Sequence, residues 1–86
     1  MINCLIVDDE PLAQNILEEY IKSDERLFLA CKCNMASAAF ELLQSQRVDL
    51  MFLDVKMPGM DGITFLRALK DLPRLFLQRH LMSMQQ

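Results

Sequence analysis

VDLMFLDVKMPGMDG, residues 48–62, is the most informative stretch of this chain. An apolar run ends in one acid, Asp54, and a Lys, a Met and a Pro-Gly pair follow at once. A carboxylate at the C-terminal end of a buried strand, next to a tight turn, sits where open α/β sheets bind their ligands. Residues 2–7, INCLIV, form a second apolar run, ended by Asp8, Asp9 and Glu10. Near-continuous apolar runs suit strands covered on both faces, as in parallel sheets.

The intervening segments carry helical signals. Pro11 occupies a favoured first-turn position, and Leu12, Ile16, Leu17, Tyr20 and Ile21 recur at helical spacing, which predicts a helix over 11–22. A polar break at 23–25 precedes a predicted strand over 26–32. Asn34 is the expected N-cap of a helix over 35–46, with Ala39, Phe40, Leu42 and Leu43 facing the core. Residues 48–53 are the third strand. Asp61 caps a third helix, whose apolar side is Ile63, Phe65, Leu66 and Leu69, and Asp71-Leu72-Pro73 stops it. The order βαβαβα implies a parallel sheet with helices on both faces, an α/β doubly wound fold. Residues 74–77, RLFL, can add a fourth strand; the Met/Gln-rich remainder has neither period.

The chain has 86 residues, 52% of them hydrophobic, and a net charge of −3. That size suits one small domain with a thin core. The acidic balance and the lack of any basic cluster argue against a nucleic-acid partner, and no basic amphipathic face offers itself to a membrane surface. MINCLIVDDE has no basic n-region before its apolar run, so a signal peptide is not expected and a cytoplasmic location is. Cys4, Cys31 and Cys33 read as reduced, strand-buried thiols. With His80 the only histidine, a zinc site has little support.

The chemistry gathers at the strand ends. If the first strand lies between the second and third, Asp8, Asp9 and Asp54 meet at one edge. Three carboxylates repel unless one protonates or a cation joins them. Mg²⁺ answers that need, because it takes hard oxygen ligands, keeps waters and binds phosphate oxygens. An Asp54 beside such an ion is a competent nucleophile toward phosphorus. Acids at strand ends also cap following helices, and Asp9 and Glu10 stand where capping is expected.

LIVDDEPLA (5–13) and LMFLDVKMPGMDGITFLRALK (50–70) resemble the receiver domain of bacterial two-component response regulators, in particular the type that precedes a LytTR DNA-binding domain. The resemblance covers residues 1–73 and implies a flavodoxin-like fold with sheet order 2-1-3-4-5. It implies a signalling domain rather than an enzyme, in which Asp54 receives phosphate from a phosphohistidine on a sensor histidine kinase. It implies Mg²⁺ held by Asp8, Asp9, Asp54 and the backbone carbonyl of Lys56. Met57 and Pro58 would shape the loop, and Gly59 and Gly62 would give it backbone freedom. Helix 1 of a receiver is a usual kinase contact, so an interaction fragment without chemistry is an alternative. The inactive product of a damaged gene is another. A haloacid-dehalogenase-type phosphatase also uses a strand-end Asp but needs Asp-x-Asp, and Val55 and Lys56 follow Asp54 here.

The chain departs from the family after Pro73. A whole receiver continues with a fourth strand ending in Thr or Ser and a fifth ending in Lys; Ser83 and Lys70 fit neither role. The expectation is therefore an incomplete receiver with impaired phosphorylation. An uncovered sheet edge at the third strand would invite self-association, unless residues 74–77 pair with it. Back-translating residues 73–86 with free choice of synonymous codons gives a string whose alternative frame reads LIFTTASHEYAA. That string resembles receiver strand 4 and the start of helix 4, and it contains the hydroxyl. A frameshift near Pro73 is expected, leaving 1–73 as a partial receiver domain and 74–86 as a tail outside the family pattern. Sequencing the coding DNA checks this: codons for 73–86 that do not yield the string in the other frame exclude it.

Overall fold

The computed structural model describes residues 1–54, 57, 65, 67 and 74–78, the last group in backbone only. The elements run β1 (Ile2–Val7), α1 (Pro11–Lys22), β2 (Leu27–Cys33), α2 (Ala36–Ser45), β3 (Leu50–Asp54) and β4 (Arg74–Gln78). Phe65 and Arg67 are helical, within the span expected for a third helix. The rest of that helix, its Asp61 cap and its stop at 71–73 fall outside the described residues.

All strands are parallel and the sheet order is β2-β1-β3-β4. The parallel pairing is what the alternating pattern implied, and the order is the flavodoxin-like one that the receiver resemblance implied. β3 is not an edge: Leu50 to Asp54 pair with Arg74 to Gln78, one for one. The outermost position on that side passes to β4, among the described residues.

The apolar run of β1 is explained by its place in the sheet. Cys4, Leu5, Ile6 and Val7 are all fully buried. Alternate residues face opposite sides. Leu5 and Val7 join Met51, Leu53, Ala39, Met57 and Phe65 under α2. Cys4 and Ile6 join Phe52, Leu17 and Ile21 under α1. Each fully buried aliphatic side chain contributes about 1.5–3 kcal/mol relative to exposure.

The helices use narrower faces than expected. On α1 the buried stripe is Ala13, Leu17 and Ile21, spaced by one helical turn, while Leu12 and Tyr20 are exposed. On α2 only Ala39 is fully buried, with Phe40, Leu42 and Leu43 half-buried against the same core. Asn34 does not cap α2: Met35 is the N-cap, in extended conformation, with no side-chain cap bond. A cap needs its side-chain oxygen one residue before the first helical turn, and α2 starts one residue later than the pattern predicted.

β2 contains an irregularity that its sequence conceals. Leu27, Leu29, Cys31 and Cys33 are all apolar and all odd-numbered, which in a regular strand would place them on one face. The pairing instead skips Ala30, with Cys4 opposite Leu29 and Leu5 opposite Cys31. Leu27 and Leu29 therefore pack on the α1 side, and Cys31 and Cys33 on the α2 side. The same shift sends Lys32 toward α1, where its Nζ donates to Glu18 Oε1 at 2.7 Å. Glu18 also pairs with Lys22, and its carboxyl is held below the usual range first by the Lys32 hydrogen bond. A bulge and a tethered lysine are devices that blunt a sheet edge.

Deleting Ala30 should therefore regularise β2 without moving any other side chain to the wrong face. Its unfolding free energy, measured in urea, is expected within about 1 kcal/mol of the parent, whereas deleting Lys32 reverses Cys33 and should cost more than about 2 kcal/mol.

Candidate functional site

Parallel pairing of β1 and β3 places Val7 beside Leu53. The next residue in each case is an aspartate, so Asp8, just past β1, and Asp54, the last residue of β3, stand side by side at the C-terminal edge of the sheet. Both are buried, each 1% exposed. Asp9 follows on the exposed side. One carboxylate oxygen from each of Asp8, Asp9 and Asp54 lies within 4.8 Å of the others. The sequence-predicted convergence of these acids is thus what the backbone produces.

The turn after β1 fixes Asp8 from several directions. Its backbone N–H donates to the Cys33 carbonyl at 3.0 Å, holding β1 to β2 at the strand ends. Its Oδ1 accepts the Glu10 N–H at 2.9 Å. Glu10 is the N-cap of α1 by position and makes no side-chain cap bond, so the capping expected there is not made; the Asp8 bond goes to the N–H of the N-cap itself, ahead of the helix. Pro11 at the helix start has no N–H to leave unsatisfied. Gln14, which sequence patterning passed over as one more polar helical residue, donates from Nε2 to the Asp8 carbonyl at 2.6 Å and to the Cys33 carbonyl at 3.2 Å.

The donor set suits a hard divalent cation. Among the described residues it consists of carboxylate oxygens, from three residues at two adjacent strand ends. Oxygens bound to one octahedral Mg²⁺ lie about 3–4 Å apart, and one oxygen from each of these three side chains already lies within 4.8 Å of the others. The cysteines belong elsewhere. All three are free thiols in strands, but the expected burial holds for Cys4 and Cys33 and not for Cys31, which is half-buried; burial, followed by neighbouring Cys31, pushes the Cys33 thiol up to about 11.

Among the loop residues singled out in the sequence, Met57 is described. It is buried and packs in the core beneath α2, which anchors the chain just past Asp54. Lys56, Pro58, Gly59 and Gly62 lie outside the described residues.

With this geometry, the chain matches the family model for the response regulator receiver domain over residues 4–85. It belongs to that family. Receiver domains are the parts of two-component response regulators that are phosphorylated on an aspartate. The chain is 41% identical over 68 residues to protein-glutamate methylesterase/protein-glutamine glutaminase 2 of Pseudomonas aeruginosa, a match covering 79% of this chain and 20% of that protein. It is 35% identical over 71 residues to the heme response regulator HssR of Staphylococcus aureus, covering 83% of this chain and 31% of that protein. The chain thus spans a minor part of the curated relatives it matches. Among solved structures, the MaeR response regulator bound to beryllium trifluoride superposes with a TM-score of 0.82 at 29% identity, over 92% of this chain and 67% of that one. The complex of the CheA3 P1 domain with CheY6 from R. sphaeroides matches at 0.70 and 31%, over 88% of this chain and 60% of that one. This receiver has no described helix long and apolar enough to cross a membrane.

Crowding of three carboxylates should destabilise the metal-free receiver. Asp9→Asn removes one charge from the exposed side and is expected to raise the metal-free melting temperature by a few degrees, read by circular dichroism in chelator.

Proposed function

We propose that this receiver accepts a phosphoryl group on Asp54 from a phosphohistidine of a sensor histidine kinase, with Mg²⁺ held by Asp8, Asp9, Asp54 and the Lys56 carbonyl. The observation that carries the reading is the meeting of Asp8, Asp9 and Asp54 at the end of adjacent central strands. Asp54 Oδ attacks phosphorus, an O–P bond forms and the P–N bond to the imidazole breaks. The imidazole leaves with the electron pair and takes up a proton. Mg²⁺, when bound, offsets the charge of the phosphoryl oxygens. Asp8, held by the Glu10 N–H, and Asp9 present their oxygens to it from one turn. Burial around Asp54 limits water at the acyl phosphate.

Two neighbours support the reading. MaeR is seen with beryllium trifluoride, a group with the tetrahedral form of a bound phosphoryl. CheY6 is seen with a domain of CheA3. The domain acts by being modified rather than by turning over a substrate, and a cytoplasmic location suits a kinase partner of this kind.

The same reading includes impairment. β4 ends at Gln78, which stands in register with Asp54. The family's Thr or Ser is expected at that strand end, and glutamine brings an amide in place of a hydroxyl. A LytTR-type parent and a shifted frame from about residue 73 account for that substitution and for the tail beyond it. A non-catalytic alternative has one observation in its favour: Leu12 and Tyr20 stand 49% and 72% exposed on α1, as a docking face for a kinase would require.

Incubation with acetyl phosphate and Mg²⁺ tests the proposal by intact mass. The expected result is a gain of one phosphoryl group that is absent in Asp54→Asn and in chelator. No gain in the parent, together with Asp54-independent kinase binding, would establish the non-catalytic alternative instead.

A further inference from the structure

Gln14 makes more contact with the acidic centre than its place on a helix suggests. Its side-chain amide carries two N–H groups, and two carbonyls accept from it, Asp8 at 2.6 Å and Cys33 at 3.2 Å. The Cys33 carbonyl also takes the Asp8 N–H at 3.0 Å. One planar head on α1 thus joins the last carbonyl of β2 to the first carbonyl beyond β1.

The Asp8 carbonyl belongs to the peptide unit between Asp8 and Asp9. That unit is planar, so fixing its oxygen fixes the direction in which the chain leaves Asp8 and enters Asp9. The two carboxylates it separates are two of the three that converge within 4.8 Å. The Glu10 N–H holds the Asp8 carboxylate itself, and Gln14 grips the peptide between the acids from another element. Its own backbone is fixed by the first bond of α1, from Gln14 N–H to the Glu10 carbonyl at 3.1 Å.

The geometry points to Gln14 as a positioning residue: its amide clamps the Asp8–Asp9 peptide and thereby sets how tightly Asp8, Asp9 and Asp54 hold Mg²⁺. This rests on the Mg²⁺ reading above. Few other side chains can do it from this position. Asn is one methylene short, an ionised Glu has no proton to donate to a carbonyl, and Leu or Met fill the volume without donors. Partners that orient metal ligands typically change affinity by about 10–100-fold when removed.

The test compares the parent with Gln14→Met, which keeps length, and Gln14→Ala, which favours the helix. Mg²⁺ affinity is measured by isothermal titration calorimetry and folding by circular dichroism. Both variants should stay helical and bind Mg²⁺ about tenfold or more weakly. In acetyl phosphate labelling, the half-saturating Mg²⁺ concentration should rise by the same factor, while the rate at saturating Mg²⁺ stays within about twofold. A merely structural role would instead lower that plateau through loss of folded protein, and would overturn the clamp. So would unchanged affinity in both variants while Asp9→Asn loses it. Absence of Mg²⁺ binding in the parent would overturn the metal reading and the clamp together.

Discussion

Placement of β1 between two parallel partners is the constraint on which the rest of the structure depends. A central strand must satisfy its backbone on both sides and bury its side chains on both faces. Cys4 to Val7 meet that demand without a polar atom in a side chain other than a thiol, and the core divides into an α1 side and an α2 side around them. The acids can follow only where the strand ends. Because β3 is in register with β1, its own acid arrives at the same level. The site is thus a consequence of two strands ending together, and moving either by one residue would disperse it.

The edge strand shows how the sheet accommodates its environment at the cost of regularity. β2 must shield two different faces with a sequence whose apolar residues all share one parity. The extra residue at Ala30 resolves the conflict and also aims Lys32 at Glu18. An exposed ion pair of this kind contributes little stability by itself. Its value lies in placing a charge on the outer strand, where an unguarded edge would recruit another chain. Further along β2 the Cys33 carbonyl meets both Asp8 and Gln14, so the edge strand also supports the centre.

Much of this was legible in the sequence, for identifiable reasons. Apolar runs closed by acids located β1 and β3, because burial on both faces leaves no room for alternation. RLFL reads as able to add a fourth strand, and its pairing meets the condition under which β3 is not an edge. The convergence of Asp8, Asp9 and Asp54 followed once β1 was placed between β2 and β3, the order that the resemblance implied. The bulge was not legible, since a parity pattern cannot show which residue is skipped. Gln14 was not legible either: its role depends on two carbonyls contributed by separate strands, and a polar residue on an amphipathic helix reads as solvated. The Asn34 cap failed because helix boundaries depend on which turn first closes its hydrogen bonds, a matter of about one residue that propensity does not resolve.

β4 separates what a fold requires from what a signal requires. The sheet asks of that slot only a backbone that pairs and residues that tolerate extended conformation, and RLFLQ supplies both. The phosphoryl chemistry implied by the family asks more at the same place, namely a hydroxyl at the strand end nearest Asp54. Gln78 occupies the backbone position without that group. Backbone pairing is blind to side-chain chemistry, so a sheet of this kind can close around Asp54 whether or not the strand beside it can register the arrival of phosphate. On the proposed reading, fold and acceptor can therefore be retained where the response to phosphorylation is not.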